Sequence, residues 1–248
     1  MTLPRLSIIV PYRDRAEQLA RFVPHLLTYF QRDKVDRDIP WRLTIVEQEP
    51  GKPFNRGLVK NAGFLLTEAE ADYFCFHDID YLPIWADYRY AERPARLLWY
   101  GAEATPFDPA RPEMMAADRA TYFGGVVMLN KADFRRVNGY GAGYWGWGYE
   151  DTELRLRCEA EGLPLDYRDG TYEPLRHVNQ GWKDWRTPTE ENVRNRAIFL
   201  ARRDTLRETR IYREDGLSAT GFKVLASHVA RDDKGQPVAN IQRILIAV

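Results

Sequence analysis

The chain has little cysteine, no surplus of charge of either sign and no long apolar run, and each shortage removes a class of protein. Its two cysteines, Cys75 and Cys158, fall in a strand-like apolar run and in a helical pattern. They are too few for a disulfide framework and read as buried thiols in a reducing compartment. Lys plus Arg and Asp plus Glu are both 36, so the formal net charge is zero. A general nucleic-acid or membrane-surface binder needs a basic excess, which this chain does not have. No apolar stretch approaches the ~18 residues of a membrane span, so no integral membrane segment is expected. A strand pattern begins at Leu6, so no signal peptide is expected and the expected location is cytoplasmic. With neither an internal repeat nor a low-complexity linker, 248 residues are expected to form one continuous domain.

What is present is an alternation of strands and helices. Leu6-Ser-Ile-Ile-Val10 reads as a buried strand ended by Pro11. Asp14 is the expected N-cap of a helix from Ala16 to about Phe30, with a kink or break at Pro24. A second strand is expected over Trp41 to Glu47, and a helix from Phe54-Asn55-Arg56-Gly57 to about Glu70. Tyr73 to Phe76 is a third strand, Leu97 to Tyr100 an edge strand, and Val126 to Leu129 a strand followed by a short helix capped by Asn130. Pro106 to Pro112 and Gln180 to Thr189 read as loops. Glu150-Asp151 opens a helix ended by Gly162, Leu165 to Tyr167 is a short strand, and Glu190 to Arg203 is helical. Phe222 to Ala230 and Val238 to Val248 form a hairpin about Asp232-Asp233-Lys234-Gly235.

Several stretches could carry chemistry. The third strand ends in His77-Asp78-Ile79-Asp80, where an α/β protein has its ligand crevice. Two readings stand there: an ordinary turn, or one side of a site for a divalent cation, since carboxylate oxygens are hard donors suited to Mg²⁺ or Mn²⁺. Arg13 and Arg15 lie at a strand-to-helix turn, either as solvated charges or as contacts to a phosphate favoured by the helix N-terminus. Phe54 is either simple core or, with Asn55 and Arg56 after it at a crevice, part of a stack and clamp on a nucleotide base. Gly124-Gly125 allows close approach of the backbone to another group. The Gly- and Trp-rich run Gly141 to Gly148 reads either as a lid or as a buried aromatic cluster.

Taken jointly and in order, these segments resemble the β-1,4-galactosyltransferase family, nearest to its xylosylprotein branch, in a soluble, bacterial-type form. The motifs are Val10-Pro-Tyr-Arg-Asp-Arg15, Phe54-Asn-Arg56, Phe76-His-Asp-Ile-Asp80, Tyr122-Phe-Gly-Gly125, Tyr144-Trp-Gly-Trp-Gly-Tyr-Glu-Asp151, Arg176-His177 and Asp215-Gly-Leu-Ser218. The resemblance implies a GT-A fold, a Rossmann-like mixed α/β sheet with helices on both faces and a C-terminal hairpin. It implies a nucleotide-sugar-binding half, 1–121, and an acceptor-binding and catalytic half, 122–248. It implies UDP-galactose as donor, a saccharide or glycoconjugate acceptor, and Mn²⁺, or Mg²⁺ in its place.

Carried over by position, Pro11, Arg13, Arg15, Phe54, Arg56, Asp78, Tyr122, Gly125 and Trp147 are expected donor contacts. Asp80 and His177 are expected metal ligands. Asp151 is the expected catalytic base and Glu150 its acidic neighbour, and with Tyr149 and Trp147 they are expected to meet the acceptor. Tyr122 matches a position whose bulk favours galactose over N-acetylgalactosamine. Pro174 stands where one branch has a ligating Met, and Asn179 where another has a second His, so the carbonyl oxygen of Asn179 is the expected replacement. Tyr149 replaces the usual Gly or Arg. The expected activity is inverting transfer of galactose to a sugar hydroxyl with a β-1,4 linkage. The alternatives are an N-acetylhexosaminyltransferase, a non-catalytic nucleotide-sugar-binding module and a metal-dependent phosphohydrolase.

Overall fold

A computed structural model describes residues 3–32, 38–98, 121–175, 187–231 and 234–248. Its frame is a mixed sheet. The first strand, β1 (Leu6–Tyr12), pairs in parallel with β2 (Trp41–Gln48) on one side and β3 (Tyr73–His77) on the other. Strict alternation along β1 feeds two separate cores. Leu6, Ile8 and Val10 pack with Phe22 and Leu26 of α1 (Ala16–Arg32), whereas Ile9 packs with Val59 and Ala62 of α2 (Arg56–Thr67). Helices therefore cover both faces, as expected for strands buried on both sides. Gly63 lets α2 lie flat on the sheet, because a Cβ there would stand 2.5 Å from the Ile9 side chain.

The sheet order is β4-β7-β5-β6-β3-β1-β2-β9-β8. β4 (Tyr81–Trp85) and β5 (Ala95–Leu98) follow β3; β6 (Val126–Asn130) pairs antiparallel with both β3 and β5. α3 (Lys131–Arg136) follows at once, capped by the Asn130 side chain, and then α4 (Glu150–Ala160). β7 (Asp166–Pro174), α5 (Glu190–Arg203) and a short α6 (Leu206–Thr209) lead to the hairpin β8 (Lys223–Arg231) and β9 (Pro237–Ala247). β9 runs parallel to β2, so the hairpin extends the main sheet.

Four local expectations change. β1 does not stop at Val10 but runs two residues further, through Pro11 to Tyr12; its pairing with β3 ends at Ile9, so Pro11 sits where a missing N–H is tolerated. α1 continues through Pro24 as one helix, and it begins at Ala16, so Asp14 is not its cap; Asp14 instead takes a left-handed φ of 53°. The strand expected at an edge over 97–100 is β5, buried between β6 and β7. Its cover is β7, whose polar text, Asp166 to Pro174, hides a nine-residue strand. The true end strand is β4, which carries Pro83 at a register shift, where an edge strand tolerates it. The loops expected at 106–112 and 180–186, and turn residues 232 and 233, lie outside the described residues.

Candidate active site

The site is built where β1, β3 and α2 meet. Asn55 ends an irregular corner and caps α2, its side chain accepting from the Leu58 N–H at 2.9 Å. This fixes Arg56 as the first residue of the helix. The Arg56 guanidinium then reaches three acids: Nη1 donates to Asp78 at 2.9 Å, Nη2 to Asp151 at 3.1 Å, and Nε to Glu150. One turn on, Lys60 is 0 % exposed and lies 3.4 Å from the other Asp78 oxygen and 3.3 Å from the other Asp151 oxygen. Three carboxylates from β3 and α4 are thus gathered around two cations of one helix.

The environment pushes these carboxyls apart. Burial acts to raise Asp78, but the charges of Arg56 and Lys60 outweigh it and hold it below the usual carboxylate range. Asp151 is pushed up to about 6, first by burial and then by Glu150 and Asp78, against the pull of Lys60 and Arg56. At neutral pH Asp151 is ionised yet more basic than an ordinary aspartate, the property a general base needs. Burial also lowers Arg56, but Asp78, Glu150 and Asp151 together raise it well above its ordinary value, so it stays charged.

The glycine pair makes this packing fit. A Cβ on Gly124 would stand 2.7 Å from the Asp151 carboxylate. Gly125 takes a φ of 70°, a conformation side chains resist, and its carbonyl accepts from the Asp78 N–H at 2.7 Å. A Cβ there would meet Leu98 at 2.4 Å and the Tyr122 hydroxyl at 2.9 Å. Burial, then Tyr81 and the Asp151 and Asp78 carboxylates, raise the Tyr122 phenol well above its ordinary value, so it stands as a neutral hydroxyl beside the acids. Behind the acid turn, the His77 ring donates from Nδ1 to the Asp78 carbonyl, which can only accept, and meets the Tyr88 hydroxyl through Nε2. Burial lowers His77 to about 4, leaving it neutral.

A cleft opens in front of this cluster. Pro11, Arg13 and Arg15 line it from the end of β1, with Phe54 and Arg56 from the α2 corner. Asp78 and Asp80 face it from the end of β3, and Trp147 from the aromatic loop. The Arg13 guanidinium lies 5.2 Å over the Phe54 ring. Asp14 also lines the cleft, a role its sequence position as a cap candidate had concealed. The Asp80 carbonyl accepts from the Leu175 N–H at 2.6 Å, which ties the acid turn to the end of β7. Pro174, where a relative's ligand would stand, is the last residue of β7. His177 and Asn179 lie outside the described residues.

The Gly-Trp loop is held by its backbone. The Gly146 N–H donates to the Phe54 carbonyl at 2.7 Å, and Asn55 donates to the Ala142 carbonyl at 2.7 Å. From the other side, Asn195 of α5 donates to the Trp145 and Trp147 carbonyls at 3.0 and 3.2 Å, and Asn192 to Trp147. Both loop readings hold in part: Tyr140 and Tyr144 are buried, whereas Trp147 is 39 % exposed over the cleft. Tyr149 adopts a φ of 76° at the start of α4 and stacks on Phe199 of α5 at 5.3 Å. Beneath the loop, buried Glu153 and Arg157 pair with each other, and Arg157 also donates to the Gly139 carbonyl at 3.0 Å. Asp215 of the Asp-Gly-Leu-Ser segment accepts from the Ala142 N–H and from Arg202, explaining that motif as a brace for the loop.

Sequence reasoning missed Lys60, Asn192 and Asn195. Lys60 had a signal: it and Arg56 are the only charges of α2, spaced four apart on one face. The two asparagines had none beyond their helical period, since Asn in a charged helix reads as surface.

Two family models match the chain. One, described as the N-terminal region of glycosyl transferase group 7, covers residues 1–91; the other, described as the N-terminal domain of galactosyltransferase, covers 111–180. Together they span more than half of it. Human β-1,4-galactosyltransferase 7 is 32% identical over 235 residues, covering 94% of this chain and 65% of the relative. A β-N-acetyl-D-glucosaminide β-1,4-N-acetylglucosaminyltransferase of Lymnaea stagnalis is 33% identical over 184 residues, covering 72% of this chain and 35% of the relative. The chain thus spans less than two thirds of the curated relatives it matches. The catalytic domain of Drosophila β-1,4-galactosyltransferase 7, solved with xylobiose, shares the fold with a TM-score of 0.76 at 23% identity, over 99% of this chain and 94% of that one. A variant of it solved with manganese, UDP-Gal and xylobiose gives 0.71 at 21% identity, over the same shares. The architecture is that of a GT-A glycosyltransferase, and the chain belongs to the β-1,4-galactosyltransferase family.

Proposed function

We propose that this chain is an inverting, metal-dependent glycosyltransferase that moves galactose from UDP-galactose to a sugar hydroxyl, forming a β-1,4 linkage. The observation that carries the reading is the Asp78–Arg56–Asp151 bridge, which sets a basic, part-buried carboxylate beside a cleft lined by arginines, an aromatic ring and acids. The reading gives residues 1–121 the donor and residues 122–248 the acceptor and the chemistry.

In this reading the UDP moiety lies along Pro11, Arg13, Arg15 and Phe54. A guanidinium over an aromatic ring offers a flat, cationic surface suited to a base and its phosphates. The donor site also holds a divalent cation. The donor set fits one: Asp80 supplies a hard carboxylate oxygen at the cleft, while Asp78 already serves Arg56 and Lys60. Asp80, His177 and Asn179 would hold the ion, which when bound supplies positive charge to the diphosphate leaving group.

Asp151 takes the proton of the acceptor hydroxyl as it attacks. Glu150, held by Arg56, keeps the first turn of α4 in place and, with Tyr149 and Trp147, borders the acceptor. Trp147 covers the cleft and excludes water, which would otherwise hydrolyse the donor. With Asp151 as the base and Asp78 and Glu150 tied to Arg56 among the described residues, the reading is a single displacement with inversion. The deciding experiment is UDP release from UDP-galactose with Mn²⁺, with and without xylosides or N-acetylglucosaminides. Acceptor-dependent release is expected; none with any donor and acceptor pair would favour a binding module, and phosphate release without transfer a hydrolase.

A second reading keeps the fold and changes the donor to UDP-N-acetylhexosamine, and the Lymnaea relative favours keeping it in view. Tyr122 argues against it by bulk beside the acids. Tyr122→Leu is expected to widen use toward UDP-N-acetylgalactosamine in a donor competition assay; an unchanged preference would remove Tyr122 as the gate.

A further inference from the structure

Lys60 takes no part in the chemistry set out above, yet it occupies a costly position. A lysine with no exposed surface gives up the hydration of its ammonium, and helix α2 would pack more cheaply with an apolar residue there. Its compensation is specific. Nζ lies 3.3 Å from Asp151 and 3.4 Å from Asp78, and 4.8 Å over the centre of the Tyr140 ring, whose face attracts a cation.

The two cations of α2 are not equivalent. The Arg56 side chain is 22 % exposed, lines the cleft and is divided among three acids. A donor phosphate entering the cleft competes for it. Lys60 has no exposed atoms and no path to a ligand, so its charge stays with the two aspartates whatever the cleft contains. The groups that face Asp151 are Arg56 and Lys60 from α2, Asp78 from the end of β3, Glu150 from its own helix, and the neutral Tyr122 and Tyr140 phenols. Lys60 is therefore the resident counter-charge and Arg56 the exchangeable one.

We propose that Lys60 is a positioning residue for transfer: its buried ammonium keeps the Asp151 carboxylate ionised and fixed against Asp78 while Arg56 engages the donor. The proposal rests on the reading of Asp151 as the base. Its sign is definite. A cation favours the charged carboxylate, so without it Asp151 takes up its proton at higher pH.

The test compares wild type with Lys60→Met and Lys60→Arg, each first shown to be folded by circular dichroism. With UDP-galactose, Mn²⁺ and the acceptor the wild type uses, the acid limb of kcat/KM in Lys60→Met is expected to move up by about one pH unit. That gives about fivefold slower transfer at pH 6 and about tenfold at pH 5, converging on wild type above pH 8. Lys60→Arg is expected to keep the wild-type limb. A uniform loss at every pH would mark Lys60 as structural only and overturn the proposal. A second readout needs no turnover: the ¹³C carboxylate resonance of Asp151, assigned by its absence in Asp151→Asn, is followed against pH. Its midpoint should rise in Lys60→Met, and an unmoved midpoint overturns the proposal. Should Lys60→Met not fold, Lys60→Gln is read in the same way. Full activity in Asp151→Asn would instead remove the base assignment, a result distinct from either.

Discussion

The Asp151 carboxylate stands against Gly124 so closely that no side chain fits between them: a Cβ on Gly124 would come within 2.7 Å of Oδ2 and 3.1 Å of Cγ. The glycine that starts the approach to β6 and the acid at the second position of α4 are one packing unit. Gly124→Ala should therefore displace the carboxylate without unfolding the sheet. A misplacement of ~1 Å can cost about 100-fold in rate. The expected result is a kcat lowered to that degree with UDP affinity retained by calorimetry. Wild-type kcat in this variant would show that Asp151 is not the group that limits transfer.

Asp151→Asn removes the proton acceptor while keeping the shape that Arg56 and Lys60 hold. Transfer should fall by ~10²–10⁴, the usual contribution of a positioned base, with UDP and Mn²⁺ still bound. In the wild type the same carboxyl, raised to about 6, must be ionised to act. kcat/KM should thus be flat above that pH and fall tenfold per unit below it. An acid limb near 4, the range of an ordinary aspartate, would contradict the buried setting described for Asp151.

Asp80→Ala should abolish the Mn²⁺-dependent part of UDP binding and leave any metal-independent part intact. Titration calorimetry with and without the ion measures both. Equal affinity for UDP and Mn²⁺ in the variant and the wild type would take Asp80 out of the metal site.

Glu153→Ala leaves the Arg157 guanidinium buried with Asp215 as its one remaining counter-charge among the described residues, at 3.6 Å. Breaking one side of a fully buried pair typically costs about 3–5 kcal/mol. Urea unfolding should show a loss of that order, together with weaker donor binding, since the same pair supports the aromatic loop. A loss below about 1 kcal/mol, the value of a surface pair, would mean that the network adds nothing to the fold.

Much of this was legible locally. The strands that carry the acid turn, the cap Asn130, and the helix opened by Glu150 are written in short-range periodicity and turn chemistry. What was hidden needed tertiary partners. β7 reads only as a short strand over 165–167, because the text that continues it to Pro174 is mostly polar. Pro83 reads as a strand breaker because only an end strand of the sheet admits it. Asp14 has the residue type of a cap, but its backbone turns the other way and sends it to the cleft. Lys60 reads as helix surface because nothing beside it in the sequence announces two aspartates that arrive from 18 and 91 residues away.

The neutral His77 ring offers something of practical use. The chain has four histidines, so its imidazole spectrum is sparse enough to assign. His77 is bonded to the carbonyl of Asp78 and to Tyr88 and stays uncharged above about pH 4. Its resonances should therefore remain still while Asp151 titrates, and move when a donor disturbs the Asp78 turn. A buried imidazole behind the acid turn would thus serve as a native reporter of cleft occupancy, silent over the pH range in which Asp151 titrates.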